Sequence, residues 1–203
     1  MTRRQKHGWL MVLLGLGMVL AAMFMHTTQE KQDALAGENS AILLQQLQLN
    51  RPSLPQAEGI PQETTASLSV PEMAQKDYLG YSMIGTLRIP DLGMELPILS
   101  SWSYELLDVA PCRYSGSLPE GNMVLMGHNY KSHFTPLHRI SEGTAVEFED
   151  VNGVVSRFTV AQTEILHKSH VDRLYAGQPL TLFTCTAGGQ NRFVVRCTAE
   201  NSE

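Results

Sequence analysis

The hydrophobic pattern divides the chain into three stretches. Residues 8–25 run for 18 positions without a charged or strongly polar side chain. Residues 26–76 contain no aromatic residue and are rich in Gln, Glu, Ala and Ser, with prolines at Pro52, Pro55, Pro61 and Pro71. From Tyr81 onward the chain changes to short apolar runs broken by Gly, Pro, Asn and Asp. These runs predict β-strands over 83–89, 94–99, 112–117, 123–128, 145–149, 154–163, 180–186 and 192–198. Two short helices are predicted at 104–109 and 136–140. Many short strands at regular spacing predict a mainly β domain, closed as a barrel or sandwich. A domain of about 125 residues can bury one modest core.

The first apolar run is nearly long enough to cross a hydrocarbon core of about 30 Å as a helix. Arg3, Arg4 and Lys6 precede it, which places the N-terminus in the cytoplasm. The other reading is a cleaved export signal, but such apolar regions are shorter and Met23-Phe24-Met25 is a poor cleavage site. The expected organisation is a basic cytoplasmic tail over 1–7, a single transmembrane anchor over 8–25, an extracytoplasmic tether over 26–76 and a folded domain over 77–203. The tether expectation rests on composition, because such a segment buries too little apolar surface to offset its ordering entropy. A short helix over 41–49 is predicted from Ile42, Leu43 and Leu47.

Charge narrows the partners. Residues 77–203 hold 14 Asp and Glu against 9 Lys and Arg, a net charge of −5. No basic patch with interleaved aromatics is present, so nucleic acid is not an expected partner. Three cysteines are too few for a disulfide-stapled scaffold, and the odd count leaves at least one thiol free.

That thiol carries the candidate chemistry. Cys185 ends the β-prone run Thr181-Leu182-Phe183-Thr184-Cys185, and His128 ends the run Asn122-Met123-Val124-Leu125-Met126-Gly127-His128. Arg192 follows Cys185 by seven residues. A thiol, an imidazole and a guanidinium are the groups that covalent acyl chemistry by cysteine needs. The thiolate is the nucleophile, and an ordinary thiol of pKa about 8.5 needs a neighbouring cation or base. Imidazole can give a proton to a leaving amine and take one from an incoming amine. A guanidinium offers forked donors to carbonyl oxygen. If 186–191 is a hairpin turn, Arg192 lies opposite Cys185, while Arg196 lies about 13 Å further along. Arg196 is therefore expected to be an ordinary surface arginine.

The Thr-Leu-x-Thr-Cys signature, with an upstream Gly-His and a downstream Arg before an apolar β pair, resembles the sortases, membrane-anchored cysteine transpeptidases of the bacterial cell surface. The resemblance covers about 84–198. It implies a closed eight-stranded β-barrel, matching the eight predicted runs, preceded here by the transmembrane helix. It implies a catalytic His128, Cys185 and Arg192, with no metal and no cofactor. Thr184 is expected to line the substrate groove. Asn129 is assigned with it to the substrate side of the site, where it could orient the His128 ring. No role is implied for Cys112 and Cys197, which are either free or paired.

By the same resemblance, Cys185 attacks a Leu-Pro-x-Thr-Gly-like sorting peptide at the C-terminus of a secreted protein. The resulting thioester is resolved by an amine acceptor, such as a peptidoglycan precursor or a pilin lysine. The short interval from His128 to Cys185 speaks against the class with a long helical insertion there. The pilin-polymerising class is disfavoured, since no Asp-Pro-aromatic lid or C-terminal membrane helix is seen. Few carboxylates flank the site, only Glu120, Glu164 and Asp172, so calcium-independent activity is expected. Leu54-Pro55-Gln56-Ala57 looks like half a sorting signal but reads better as Pro-rich linker. Two other readings are a zinc-binding domain using the evenly spaced His128, His133 and His138, and a non-enzymatic surface-binding β domain. Papain-like enzymes place Cys before His, and the Ser-His-Gly-Cys of peptidoglycan-crosslinking transpeptidases is absent.

Overall fold

A computed structural model describes residues 3–50 and 73–200. Helix α1 (Arg3–Leu49) is followed by nine strands: β1 (Lys76–Tyr78), β2 (Tyr81–Ile89), β3 (Met94–Leu99), β4 (Cys112–Ser115), β5 (Met123–Met126), β6 (Ala145–Asp150), β7 (Val155–His167), β8 (Leu180–Cys185) and β9 (Asn191–Ala199). The sheet order is β1-β2-β3-β4-β5-β8-β9-β7-β6, and β6 pairs back onto β2. Eight strands thus close into a barrel, which removes the open edges a sheet must otherwise protect. β1 extends β2 as a hairpin. Only β3–β4 and β5–β8 are parallel. The predicted helices are present as the one-turn α2 (Tyr104–Leu107), capped by Ser103, and a 3₁₀ turn over Thr135–Arg139 that opens on Pro136.

Strand alternation sorts side chains into two environments. The barrel interior holds Ile84, Leu87, Ile98, Leu125, Phe148, Leu182 and Val195. The outer face of β5, β8, β9 and β7 carries a smaller apolar cluster of Val124, Phe183, Val194 and Leu166, covered by Leu174. Leu174 comes from a 3₁₀ turn over Val171–Tyr175, in the connection from β7 to β8.

Residues 26–49 differ from the expected tether. They are helical throughout and continuous with the apolar N-terminal run. The predicted 41–49 helix is the end of this long one. Ala36, Ser40, Leu43 and Leu47 are buried, while Ile42 is exposed. The spacing of these four is one helical face. Leu43 and Leu47 pack with Met83, Leu99, Leu107, Val109, Ala110, Cys112 and Val151 outside the barrel interior. Composition undercounted this segment because a narrow apolar stripe is enough when a folded surface receives it. The helix from Met11 to Leu49 contains an 18-residue window that is exposed and is long and apolar enough to cross a membrane. The Pro-rich part of the expected tether, including the Leu54-Pro55-Gln56-Ala57 segment, lies outside the described residues.

Candidate active site

The parallel pairing of β5 with β8 carries His128 and Cys185 to the same end of the sheet. Met126 pairs with Phe183, and the Gly127 amide donates to the Phe183 carbonyl at 3.2 Å. His128 and Cys185 are each two residues beyond those paired positions, on strands that lie about 4.8 Å apart. Antiparallel pairing then sets Arg192 of β9 directly opposite Cys185. Cys185 and Arg192 share the outer face with Phe183 and Val194, two residues from each. Gly127 has its own reason: a Cβ there would lie 2.7 Å from the Phe134 ring. Its absence lets the loop fold back under the strand end, where the Phe134 amide donates to the His128 carbonyl at 3.2 Å.

His128 has a partner that its sequence neighbourhood does not show. Its Nε2 lies 3.3 Å from Asp108 Oδ1, on the loop after α2. Burial lowers the His128 pKa, and the Asp108 charge opposes that shift only in part. The Tyr130 ring packs against His128 at 4.7 Å, and its hydroxyl donates to Asp108 Oδ1 at 3.0 Å. Burial, the Asp108 hydrogen bond and the Asp108 and Asp33 charges push the Tyr130 pKa up to about 12, so it stays a donor.

The three cysteines are free and unlike one another. Cys112 and Cys197 sit in different apolar clusters, so they do not pair. Burial pushes both thiols up to about 12, which keeps them protonated and inert. Cys185 is partly exposed and is the one thiol of the three that a substrate can reach.

Arg192 folds against its own turn, with Nη1 donating to the carbonyls of Gly189 (3.0 Å) and Asn191 (3.2 Å). Among the described residues no acceptor engages its Nε or Nη2. Arg196 is not the expected surface arginine. It is 4% exposed, pairs with Glu164 at 2.6 Å and donates to the carbonyls of Arg173 and Leu174. The 3₁₀ turn over Val171–Tyr175 closes over it and ties that turn to the barrel.

Two further expectations meet different geometry. Thr184 is wholly buried on the face opposite Cys185, and its Oγ1 has no partner among the described residues. Asn129 does not hold the His128 ring; its Oδ1 accepts from Thr135 Oγ1 (2.9 Å) and lies 3.2 Å from His138 Nε2. An aromatic wall, by contrast, has no signal in the sequence, because its rings come from separate loops and strands. Tyr114 packs edge-on to Phe183 at 5.3 Å and lies between Trp102 (5.4 Å) and Tyr175 (6.5 Å). Burial and Tyr175 raise the Tyr114 pKa, while the nearby Arg192 charge pulls it down. Trp102 and Tyr114 also line a cavity of about 630 Å³ with Arg113, Ser115 and Glu120. The histidines of the zinc reading diverge: His128 meets Asp108, His133 is buried against Ser40 at 3.0 Å, and His138 packs on Phe193 at 4.8 Å.

Residues 87–200, more than half of the chain, match the sortase domain family. The chain belongs to the sortase family. Among solved structures, similarity extends to Streptococcus agalactiae sortase C1 in complex with MTSET, at 25% identity and a TM-score of 0.53, over 60% of this chain and 71% of that one. Sortase A from Corynebacterium diphtheriae superimposes with a TM-score of 0.55 at 21% identity, over 61% and 63% of the two chains. Sortase C1 of GBS Pilus Island 1 does so with a TM-score of 0.52 at 23% identity, over 59% of this chain. The chain spans 64% of the length of that last protein. No curated protein sequence matches it.

Proposed function

We propose that this sortase is a membrane-anchored cysteine transpeptidase that cuts a Leu-Pro-x-Thr-Gly-like sorting peptide and transfers the acyl part to an amine. The observation that carries the reading is the register that brings the ends of β5, β8 and β9 together at His128, Cys185 and Arg192. Cys185 is the nucleophile. Cys185 gives its thiol proton to His128, the thiolate attacks the carbonyl carbon of the scissile bond, a C–S bond forms, and Arg192 stabilises the charge on oxygen. The C–N bond then breaks as His128 gives its proton to the leaving amine. The thioester persists until an acceptor amine attacks. A C–N bond forms, His128 takes the amine proton, and the Cys185 thiolate departs. Asp108 orients the imidazole and stabilises its protonated form. The Tyr114, Trp102 and Tyr175 wall offers rigid apolar surface for the proline-bearing part of the peptide.

The donor is a secreted protein with a C-terminal sorting signal, and the acceptor is a peptidoglycan precursor amine or a pilin lysine. The apolar stretch of α1 anchors the protein once through the membrane, with residues 1–7 cytoplasmic and the domain from 77 onward outside the cell. The test is a peptide library incubated with full-length protein and a simple amine. Coupled product, lost in Cys185→Ala, is expected. Cleavage or coupling that survives Cys185→Ala would overturn the reading.

A further inference from the structure

We propose that Ser40 and Asp33 of helix α1 are positioning residues of the active site, Ser40 clamping the loop that bears His128 to the loop that bears Asp108 and Asp33 seating the helix on the first of these loops. The proposal rests on the reading of His128 as the acid and base of the reaction. Neither residue is placed to touch substrate or Cys185. Their partners lie in the segments that surround the imidazole.

The contacts are specific and distant in sequence. Asp33 Oδ1 accepts from the Ser132 amide at 3.0 Å and the Ser132 hydroxyl at 2.7 Å. Burial alone would raise the Asp33 pKa, but the hydrogen bonds from Ser132 and the Lys131 backbone, with the Lys131 charge, lower it. Asp33 therefore remains an anionic acceptor at neutral pH. Helix and loop meet closely at Gly37, where a Cβ would lie 3.0 Å from Ser132 Cβ. Ser40 is 3% exposed, and its Oγ donates to the Val109 carbonyl at 2.8 Å and lies 3.0 Å from His133 Nε2.

A hydroxyl has one proton, and a carbonyl can only accept. The Ser40 proton therefore goes to Val109, and His133 must donate Nε2–H to Ser40 Oγ. One hydroxyl thus joins residue 109 to residue 133. Asp108, next to Val109, holds His128 Nε2 and accepts from Tyr130, whose carbonyl in turn accepts from the His133 amide at 3.0 Å. Alanine is the better helix former, so a buried serine at this position reflects its two hydrogen bonds rather than helix stability.

Loss of the clamp leaves Asp108 and Tyr130 without a fixed relation to His128, and small misplacements of catalytic groups cost up to about 10²-fold in rate. Ser40→Ala in the full chain is expected to lower kcat at least about tenfold with KM nearly unchanged. Made in an Asp108→Ala background, it should add less than about twofold. The His128 titration, followed by NMR, should move downward in both Ser40→Ala and Asp108→Ala, since Asp108 is the group that raises it. Independent, multiplying losses with an unmoved His128 midpoint would overturn the proposal. If the unsubstituted protein shows no transfer, the functional reading falls, but the His128 midpoint still decides the clamp. Should Ser40→Ala fail to fold, Asp33→Ala at the half-exposed rim is read by the same two measurements, and an unmoved midpoint there overturns the clamp equally.

Discussion

Acidification should loosen helix α1 from the barrel through His133. The side chain is fully buried, and its Nε2 is committed to Ser40 while Nδ1 has no partner among the described residues. A second ring proton would add a charge in an apolar setting, with the backbone carbonyls of Ala36 and Val109 offsetting it only in part. Burial lowers its pKa to about 4, with the His128 charge adding to the shift and Asp33 and nearby carbonyls opposing it. In the unfolded chain the same group titrates near 6.5. Between those values the unfolded state binds more protons, so this contribution is complete above pH about 6.5 and is lost as pH falls to about 4. A gap of about 2.5 units corresponds to roughly 3 kcal/mol in full, most of it gone by pH 4.5. Urea unfolding of the full chain in micelles at pH 7 and pH 4.5 measures it. Unmodified protein should lose about 2–3 kcal/mol more than His133→Gln over that interval, because the carboxylates titrate alike in both. Equal pH dependence in the two proteins would refute the reasoning.

Three further outcomes are expected. Arg192→Ala should fold normally and lose about 10²–10³ in rate, as loss of an oxyanion donor does, whereas Arg196→Ala should lose about 1–3 kcal/mol of stability, because the Arg173 and Leu174 carbonyls lose their donor while Glu164 keeps Arg173; thermal melts and turnover separate the two, and a stable, inactive Arg196→Ala would contradict this. Turnover should be the same with millimolar calcium as with chelator, because Glu164 is already paired with Arg173 and Arg196, and a several-fold activation by calcium would refute it. Protease added to intact protoplasts should remove the domain beyond α1, and full protection would refute the external placement.

The strands were legible because each is a short β-prone run ended by Gly, Pro, Asn or Asp, which carry their own backbone preferences. Predicted and observed limits differ by a few residues, with β7 running on to His167 and β1 being the addition. The Cys185–Arg192 pairing was legible for the same reason, since a hairpin turn fixes its register. Asp108 was not, because it lies 20 residues before His128 and meets it only once β4 pairs antiparallel with β5. The role of Arg196 was also hidden, since its burial depends on a turn from another connection folding over the sheet. The helix over 26–49 is not legible from composition, because its seat needs the folded barrel.

In the proposed reaction Cys185 carries the acyl group. Full-length protein mixed with a sorting-type peptide and no added amine, then quenched in acid and mapped by mass spectrometry, tests it most directly. One thioester adduct is expected, on Cys185, and it should disappear when amine is added. An adduct on Cys112 or Cys197 with normal turnover, or turnover with no adduct on any cysteine under these conditions, would contradict it.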